Sequence, residues 1–318
     1  MYRIGIDLGG TNIVAGVVDD DFAILGTAKC KTRVPRPAEE IVEDMARMAR
    51  EAVEKAGLSM DDIAYVGVGS PGTCNGDTGV VEYANNLYFE NIPVRDWLNG
   101  MLSKPVYIEN DANAAALGEA LAGAAKGAQS CICITLGTGV GSGIIIDGKI
   151  YGGFNFAGAE LGHTVIQVDG ELCTCGRLGC WEAYASATPL VNQTRRAMVN
   201  HPQSAMWSIA GELDKVDGRT AFDGMRAGDE AAKAVVDRYI KYIGTGLVNV
   251  INIFQPEVLC IGGGICKEGD TLLNPLQAHI AHERYSRYST HQTRLCVATL
   301  GNDAGIIGAA FLGDKITG

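Results

Sequence analysis

Positive charge is scarce in this chain: 26 Lys and Arg stand against 37 Asp and Glu over 318 residues, a formal net charge of −11 at pH 7. Binding to a nucleic-acid backbone rests on clustered Lys and Arg, so small molecules are the expected ligands and nucleic acid is not. No apolar run approaches the roughly 18 residues of a membrane span, so no membrane partner is expected. The opening MYRIGIDLGG enters a strand without a charged segment and a long apolar one. No secretory signal is therefore expected, and the expected location is cytoplasmic. There, ten cysteines read as thiols or metal ligands rather than disulfides. What is present suits a core: 47% of residues are hydrophobic and 20% charged, on a length comfortable for two domains.

The chain is organised as a repeat. Two apolar runs around a Gly-Gly turn and a third after Asp19–Asp21 predict a three-stranded meander at the N-terminus. Ile41, Met45, Met48, Ala52, Val53 and Ala56 recur at helical spacing, and Pro37, Glu39 and Glu40 suit a first turn, which predicts a helix over 38–56. IAYVGVG (63–69) and VYIEN (106–110) read as strands, and 112–121 as a helix. A second half starts at Ser130. Without a gap, IGIDLGGTNIVAGVVDD (4–20) lies over ICITLGTGVGSGIIIDG (132–148), matching Ile4 to Ile132, Ile6 to Ile134, Leu8 to Leu136, Gly9 to Gly137 and Asp19 to Asp147. A long amphipathic helix near 230–254, a strand ending in glycines (258–264), a closing strand (295–300) and a helix over 304–312 complete the copy. Internal duplication of an α/β unit follows. The second copy's surplus falls between Tyr151 and Gly228. The expected domains are a small one over 1–112, with a C-terminal helix over 301–318 packed back on it, and a larger one over 113–300.

Two glycine patterns fail on context. GVGSPG (67–72) fits a dinucleotide fingerprint, but Pro71 and the following TCNGDTG leave no helix to receive a pyrophosphate. GIIIDGK (143–149) imitates the start of a P-loop, yet Ile150 stands where Ser or Thr should hold magnesium.

Other motifs carry chemistry. DLGGT (7–11) and LGTGVGSG (136–143) put glycines and a hydroxyl residue in a tight turn between strands, at equivalent points of the duplication. Such turns present backbone N–H groups to phosphate oxygens, here with Gly9, Gly10, Thr11, Thr138 and Gly139. Asp7 offers a carboxylate to hydrated Mg²⁺ or simply stabilises its turn. His163 with Cys173, Cys175 and Cys180 supplies three sulfurs and one nitrogen, a complete tetrahedral set for structural Zn²⁺, although C-x-C-x₄-C is not the common finger spacing. Finally, ENDANAAALGEAL (109–121) crowds Glu109, Asn110 and Asp111 where a strand gives way to an Ala-rich helix. Asn110 or Asp111 suits a helix cap, and a carboxylate there also suits a general base.

These residues together resemble the ROK family of sugar kinases and repressors, and within it the bacterial glucokinases. DLGGT and LGTGVG match its phosphate loops, ENDANAAALGE its catalytic segment, ELGH its sugar motif and CTCGRLGCWEAYAS its cysteine motif. The resemblance runs end to end. It implies a duplicated actin- and hexokinase-like (ribonuclease H-like) ATPase fold, with two domains and a cleft. The implied activity is ATP-dependent, Mg²⁺-requiring phosphorylation of glucose at its 6-hydroxyl. Asp111 is then the base, Asn110, Glu160, His163, Glu182 and Gly72 lie on the sugar, and Gly262, Gly263 and Gly264 lie beside adenosine. Zinc sits on His163, Cys173, Cys175 and Cys180, and the assembly is a homodimer or homotetramer. The family's repressors carry a helix-turn-helix domain, which is not expected here because the first strand begins almost at Met1. Competing readings are a kinase for mannose, fructose or an N-acetylhexosamine, a sugar-sensing regulator without turnover, and an actin- or chaperone-like ATPase. The last gives no reason for Glu160, His163 and Glu182.

Overall fold

A computed structural model describes residues 1–316. Strands β1 (Tyr2–Leu8), β2 (Asn12–Val18) and β3 (Ile24–Lys31) form the expected meander, followed by helix α1 (Ala38–Lys55). Next come β4 (Ile63–Ser70), β5 (Thr73–Asn75), β6 (Val80–Ala84), β7 (Phe89–Ile92), α2 (Val94–Leu102), β8 (Val106–Asn110) and α3 (Asp111–Leu121). The second half opens with β9 (Cys131–Leu136), β10 (Val140–Ile146) and β11 (Lys149–Ile150). Its insertion carries α4 (Glu182–Ala185), α5 (Ala187–Asn200), α6 (Met206–Ala210) and α7 (Thr220–Arg226). It closes with α8 (Glu230–Phe254), β12 (Val258–Gly262), α9 (Asp270–Glu283), β13 (Arg294–Val297), α10 (Asp303–Ala310) and α11 (Leu312–Ile316).

The first sheet has the order β3-β2-β1-β4-β8 and the second the order β11-β10-β9-β12-β13. Position for position the orders are the same, as internal duplication predicts. β1 pairs antiparallel with β2, while β4 lies parallel to both β1 and β8. The chain divides into two compact units: 1–133 with 142–159 and the chain from Ala298, and 134–141 with 160–297.

In the first unit β1 and β4 are almost continuously buried because both sheet faces are covered. On one face α1 inserts Ile41, Met45, Met48, Ala49 and Ala52 into a core with Ile4, Ile6, Val66 and Val68. On the other, small residues let the α10 backbone itself touch its neighbours. A Cβ on Gly67 would lie 1.7 Å from Ala309 O, and one on Gly308 would lie 1.7 Å from Ala114 O. The buried Arg3 donates to Asp20 at 2.8 Å and to Asp314 at 2.7 Å, which ties α11 to β1.

Several expectations shift. The C-terminal helix is two helices broken at Phe311, and residues 317 and 318 lie outside the described residues. Residues 73–92 contain a three-stranded sheet, β5-β6-β7, for which the sequence predicts no strands. Thr73–Asn75 is too short to show alternation in sequence. The closing strand ends at Val297 because the N–H groups of Thr299 and Leu300 donate instead to the buried Glu119 carboxylate, at 3.2 and 2.8 Å. Both rejected glycine motifs start in strands, at Gly67 in β4 and Gly143 in β10.

In the second unit α8 is capped by Asp229, whose Oδ1 accepts from Ala232 N at 2.9 Å. Its apolar stripe buries Val236, Tyr239, Ile243, Leu247 and Ile251. Trp181 is fully buried on this helix, with Nε1 donating to Tyr242 O at 2.9 Å, and Tyr239 Oη donates to Ala185 O at 2.8 Å. The short α4 between them, which begins at Glu182, is thereby fixed. Among the described residues no helix is long and apolar enough to cross a membrane.

Candidate active site

The parallel arrangement of β1, β4 and β8 brings their C-terminal ends to one edge of the first sheet, with Asp7 beside Gly69 and Ser70 beside Asn110. Beyond Asp7 the chain turns through Gly9, Gly10 and Thr11 into β2. Gly9 N donates to Asn12 O at 2.9 Å, leaving Gly10 and Thr11 as the two-residue tip. The fully buried Thr32 holds this turn from outside, its hydroxyl donating to Gly9 O at 2.6 Å.

At the end of β8, Asn110 is the cap of α3: Oδ1 accepts from Ala112 N at 2.9 Å and Asn113 N at 3.2 Å. Asp111 is therefore the first helical residue and not the cap, which corrects the capping alternative for that side chain. Its Oδ1 accepts from the adjacent Ala112 N, at 2.8 Å. Asn110 Nδ2 donates to Gly72 O at 3.1 Å, so Gly72 orients this amide. Glu109, to which the sequence assigned no role, lies directly behind. Its Oε1 accepts from Asn110 N at 2.8 Å and from Asn113 Nδ2 at 3.1 Å. Its only sequence signal is membership of the same polar triplet.

Burial pushes the carboxyls of Asp111 and Glu109 above their ordinary range. Asp7 is pushed up to about 6, first by burial and then by the negative charge of Asp111. The oxygen donors of two neighbouring carboxylates raised in this way fit a hard cation such as Mg²⁺.

In the second unit, Gly137, Thr138 and Gly139 form the turn between β9 and β10, closed by Gly137 N donating to Gly139 O at 3.0 Å. The glycines at 262–264 abut its base: Gly263 has φ +106°, and a Cβ there would lie 2.1 Å from Leu136 O. The second glycine turn and the third glycine run are thus brought together. Glu182 also reaches this turn. Its Oε2 accepts from Val140 N at 2.9 Å and its Oε1 from Thr174 Oγ1 at 3.0 Å, so it is a bridging group rather than a solvated charge. Glu160 is exposed and heads the short turn of Leu161–His163, its carbonyl accepting from His163 N at 3.1 Å.

His163, Cys173, Cys175 and Cys180 each bring a ligand atom to within 4.8 Å of the others. Two short ladders, Val165 with Cys180 and Leu172 with Leu178, fold the loop so that residues distant in sequence meet. His163 Nδ1 lies 3.6 Å from Cys173 Sγ, and Cys175 Sγ lies 3.6 Å from Cys180 Sγ. These separations far exceed an S–S bond of about 2.05 Å. They lie close to the edges of a tetrahedral site, about 3.8 Å between sulfurs bound at about 2.3 Å and about 3.6 Å between such a sulfur and a nitrogen bound at about 2.05 Å. Burial and the neighbouring thiols push the Cys180 thiol up, a crowding that a metal cation would relieve. The donor set fits Zn²⁺. With Nδ1 on the cluster side, the Nε2 of His163 is left for another partner.

The ROK family model matches residues 3–316. A glucokinase of Thermotoga maritima is 37% identical over 311 residues, covering 97% of this chain and 96% of the relative. A glucokinase of Streptomyces coelicolor is 38% identical over 312 residues, covering 97% and 96%. Among solved structures, that of a ROK family glucokinase from Streptomyces griseus in complex with glucose and AMPPNP is 35% identical, with a TM-score of 0.80 and full coverage of both chains. The α/β fold is accordingly the duplicated actin- and hexokinase-like one that the sequence led us to expect. The motif residues, the sheet topology and the full-length match make this chain a member of the ROK family.

Proposed function

We propose that the protein transfers the γ-phosphoryl group of ATP to the 6-hydroxyl of glucose, giving glucose 6-phosphate and ADP. The observation that carries this reading is the full-length likeness to glucokinases at 37% and 38% identity. Asp111 serves as the general base. Its carboxylate is free of capping duty, and burial raises its proton affinity toward the range useful for taking a hydroxyl proton. Asn110 has committed Oδ1 to the helix and one Nδ2 hydrogen to Gly72, which leaves one hydrogen for a sugar oxygen. Glu160, His163 and Glu182 take further hydroxyls.

The turns at Gly9–Thr11 and Thr138–Gly139 hold phosphate oxygens, and the glycines at 262–264 lie beside adenosine. Asp7 would hold hydrated Mg²⁺, which when bound neutralises charge on the phosphoryl oxygens. His163, Cys173, Cys175 and Cys180 would hold a structural zinc, which when bound would fix the loop between Glu160 and Glu182. The protein acts in the cytoplasm as a homodimer or homotetramer. The test is a coupled ADP-release assay over a panel of hexoses, with and without Mg²⁺. Release should depend on sugar and Mg²⁺, with the highest kcat/KM for glucose. ADP release at one rate with or without sugar would overturn the proposal.

A further inference from the structure

The geometry points to the Glu182 carboxylate as a latch on the second phosphate turn, occupying the Val140 N–H until a hexose draws it away. This inference rests on the hexose-kinase reading above and adds a coupling between the two substrates that neither the motifs nor the likenesses assign.

The argument begins with the donor. A glycine-rich turn binds phosphate through backbone N–H groups, and each N–H serves one anionic oxygen well. Here the Val140 N–H, at the exit of that turn, is already engaged by Glu182 Oε2 at 2.9 Å. The same oxygen lies only 2.4 Å from where a Cβ on Gly139 would stand, so the carboxylate rests against the bare face of the turn. A phosphoryl oxygen approaching that face meets both an occupied donor and a like charge.

The rest of Glu182 is arranged for release. Its backbone is anchored, because the preceding Trp181 is fully buried with Nε1 donating to Tyr242 O at 2.9 Å. The carboxylate can therefore change partners by side-chain rotation alone. Its other oxygen accepts from Thr174 Oγ1 at 3.0 Å and faces Cys173 Sγ at 3.6 Å. Thr174 sits between two cysteines of the thiol cluster, so the latch is held from the same loop that carries His163. A sugar hydroxyl donating to Glu182 competes directly with Val140 N–H and Thr174 Oγ1. When the sugar wins, the turn's N–H passes to the nucleotide. Hexose binding then raises nucleotide affinity, and by linkage nucleotide raises hexose affinity by the same factor.

The test measures binding rather than turnover. The Kd of AMPPNP with Mg²⁺ is determined by titration calorimetry for wild type, Glu182→Gln and Thr174→Val, without sugar and at saturating glucose. Wild type should bind AMPPNP about tenfold more tightly with glucose. Without sugar, Glu182→Gln, which removes the like charge although its amide oxygen can still accept from Val140 N, should bind it roughly three- to fivefold more tightly than wild type and gain less from glucose. Thr174→Val keeps the carboxylate but removes one of its holds, so it should shift in the same direction by less. Should Glu182→Gln not fold, Thr174→Val decides. Sugar-free affinities within twofold of wild type in every folded variant would overturn the latch. If wild type phosphorylates no hexose but Glu182→Gln still tightens AMPPNP binding, the carboxylate block stands and the hexose-kinase reading falls.

Discussion

Asn110 caps the helix that Asp111 begins, taking Ala112 N and Asn113 N on Oδ1 at 2.9 and 3.2 Å. Two adjacent side chains of similar size thereby divide two jobs, one closing a helix end and the other presenting a carboxylate. Asp111→Asn should leave the cap intact and slightly stabilise the ligand-free protein near neutral pH, since a buried charge is removed. Turnover should fall by roughly 10² to 10⁴, about 3 to 5 kcal/mol of barrier, because an amide cannot accept the hydroxyl proton. Glucose affinity should largely survive. The kcat, Tm and equilibrium glucose affinity of one D111N preparation check all three, and turnover within a few-fold of wild type would remove Asp111 from the chemistry.

The half-buried Asp7 makes stability depend on pH in the less common direction for an acid. Its folded pKa, about 6, lies above the ordinary 3.8, so its stabilising contribution is complete below the lower value and is lost as pH rises through the higher one. Above pH 7 the loss is roughly 2 kcal/mol, allowing for partial solvent access. Asp7→Asn should therefore melt higher than wild type at pH 8, with a gap that closes toward pH 4. Melting curves of both proteins across that range, in the absence of Mg²⁺, provide the check; a gap independent of pH would contradict it.

One zinc per chain is expected on His163, Cys173, Cys175 and Cys180. Cys175→Ser should lower zinc content, thermal stability and hexose affinity together, because a bound metal would hold Glu160, His163 and Glu182 in one loop geometry. Metal analysis beside a glucose titration tests this, and full hexose affinity in a zinc-depleted variant would separate the two sites.

Discrimination among sugars should be uneven, because groups that pair with a hydroxyl are left unpaired when it is moved or missing. Both 2-deoxyglucose and galactose should be at least several-fold poorer than glucose in kcat/KM. Equal efficiency for the three would contradict a site lined by Asn110, Glu160 and Glu182.

Most elements were legible because their signals are local. The spacing of Ile41, Met45, Met48 and Ala52 marks a helix with one buried face, and each of those residues is indeed buried. The match between 4–20 and 132–148 foretold two sheets of one order, since the same alternation and turns fold the same way twice. The His163, Cys173, Cys175 and Cys180 set was legible from residue type, because few other roles collect three thiols and an imidazole in 18 residues. The short strands at 73–92 were not, having too few residues for a pattern.

What the sequence by itself determined is therefore the inventory: strands, helices, glycine turns and the chemical groups at their ends. Only the tertiary structure decided how those groups are engaged. Whether Asn110 or Asp111 caps depends on the backbone angles at one strand-to-helix junction, which adjacent residues of equal propensity do not reveal. Glu182 meets Val140 across 42 positions, and Glu119 meets Leu300 across 181. Hydrogen bonds of that reach exist only once the chain has folded, because it is packing around Trp181 and along α10, not sequence neighbourhood, that sets a carboxylate within 3 Å of its donor.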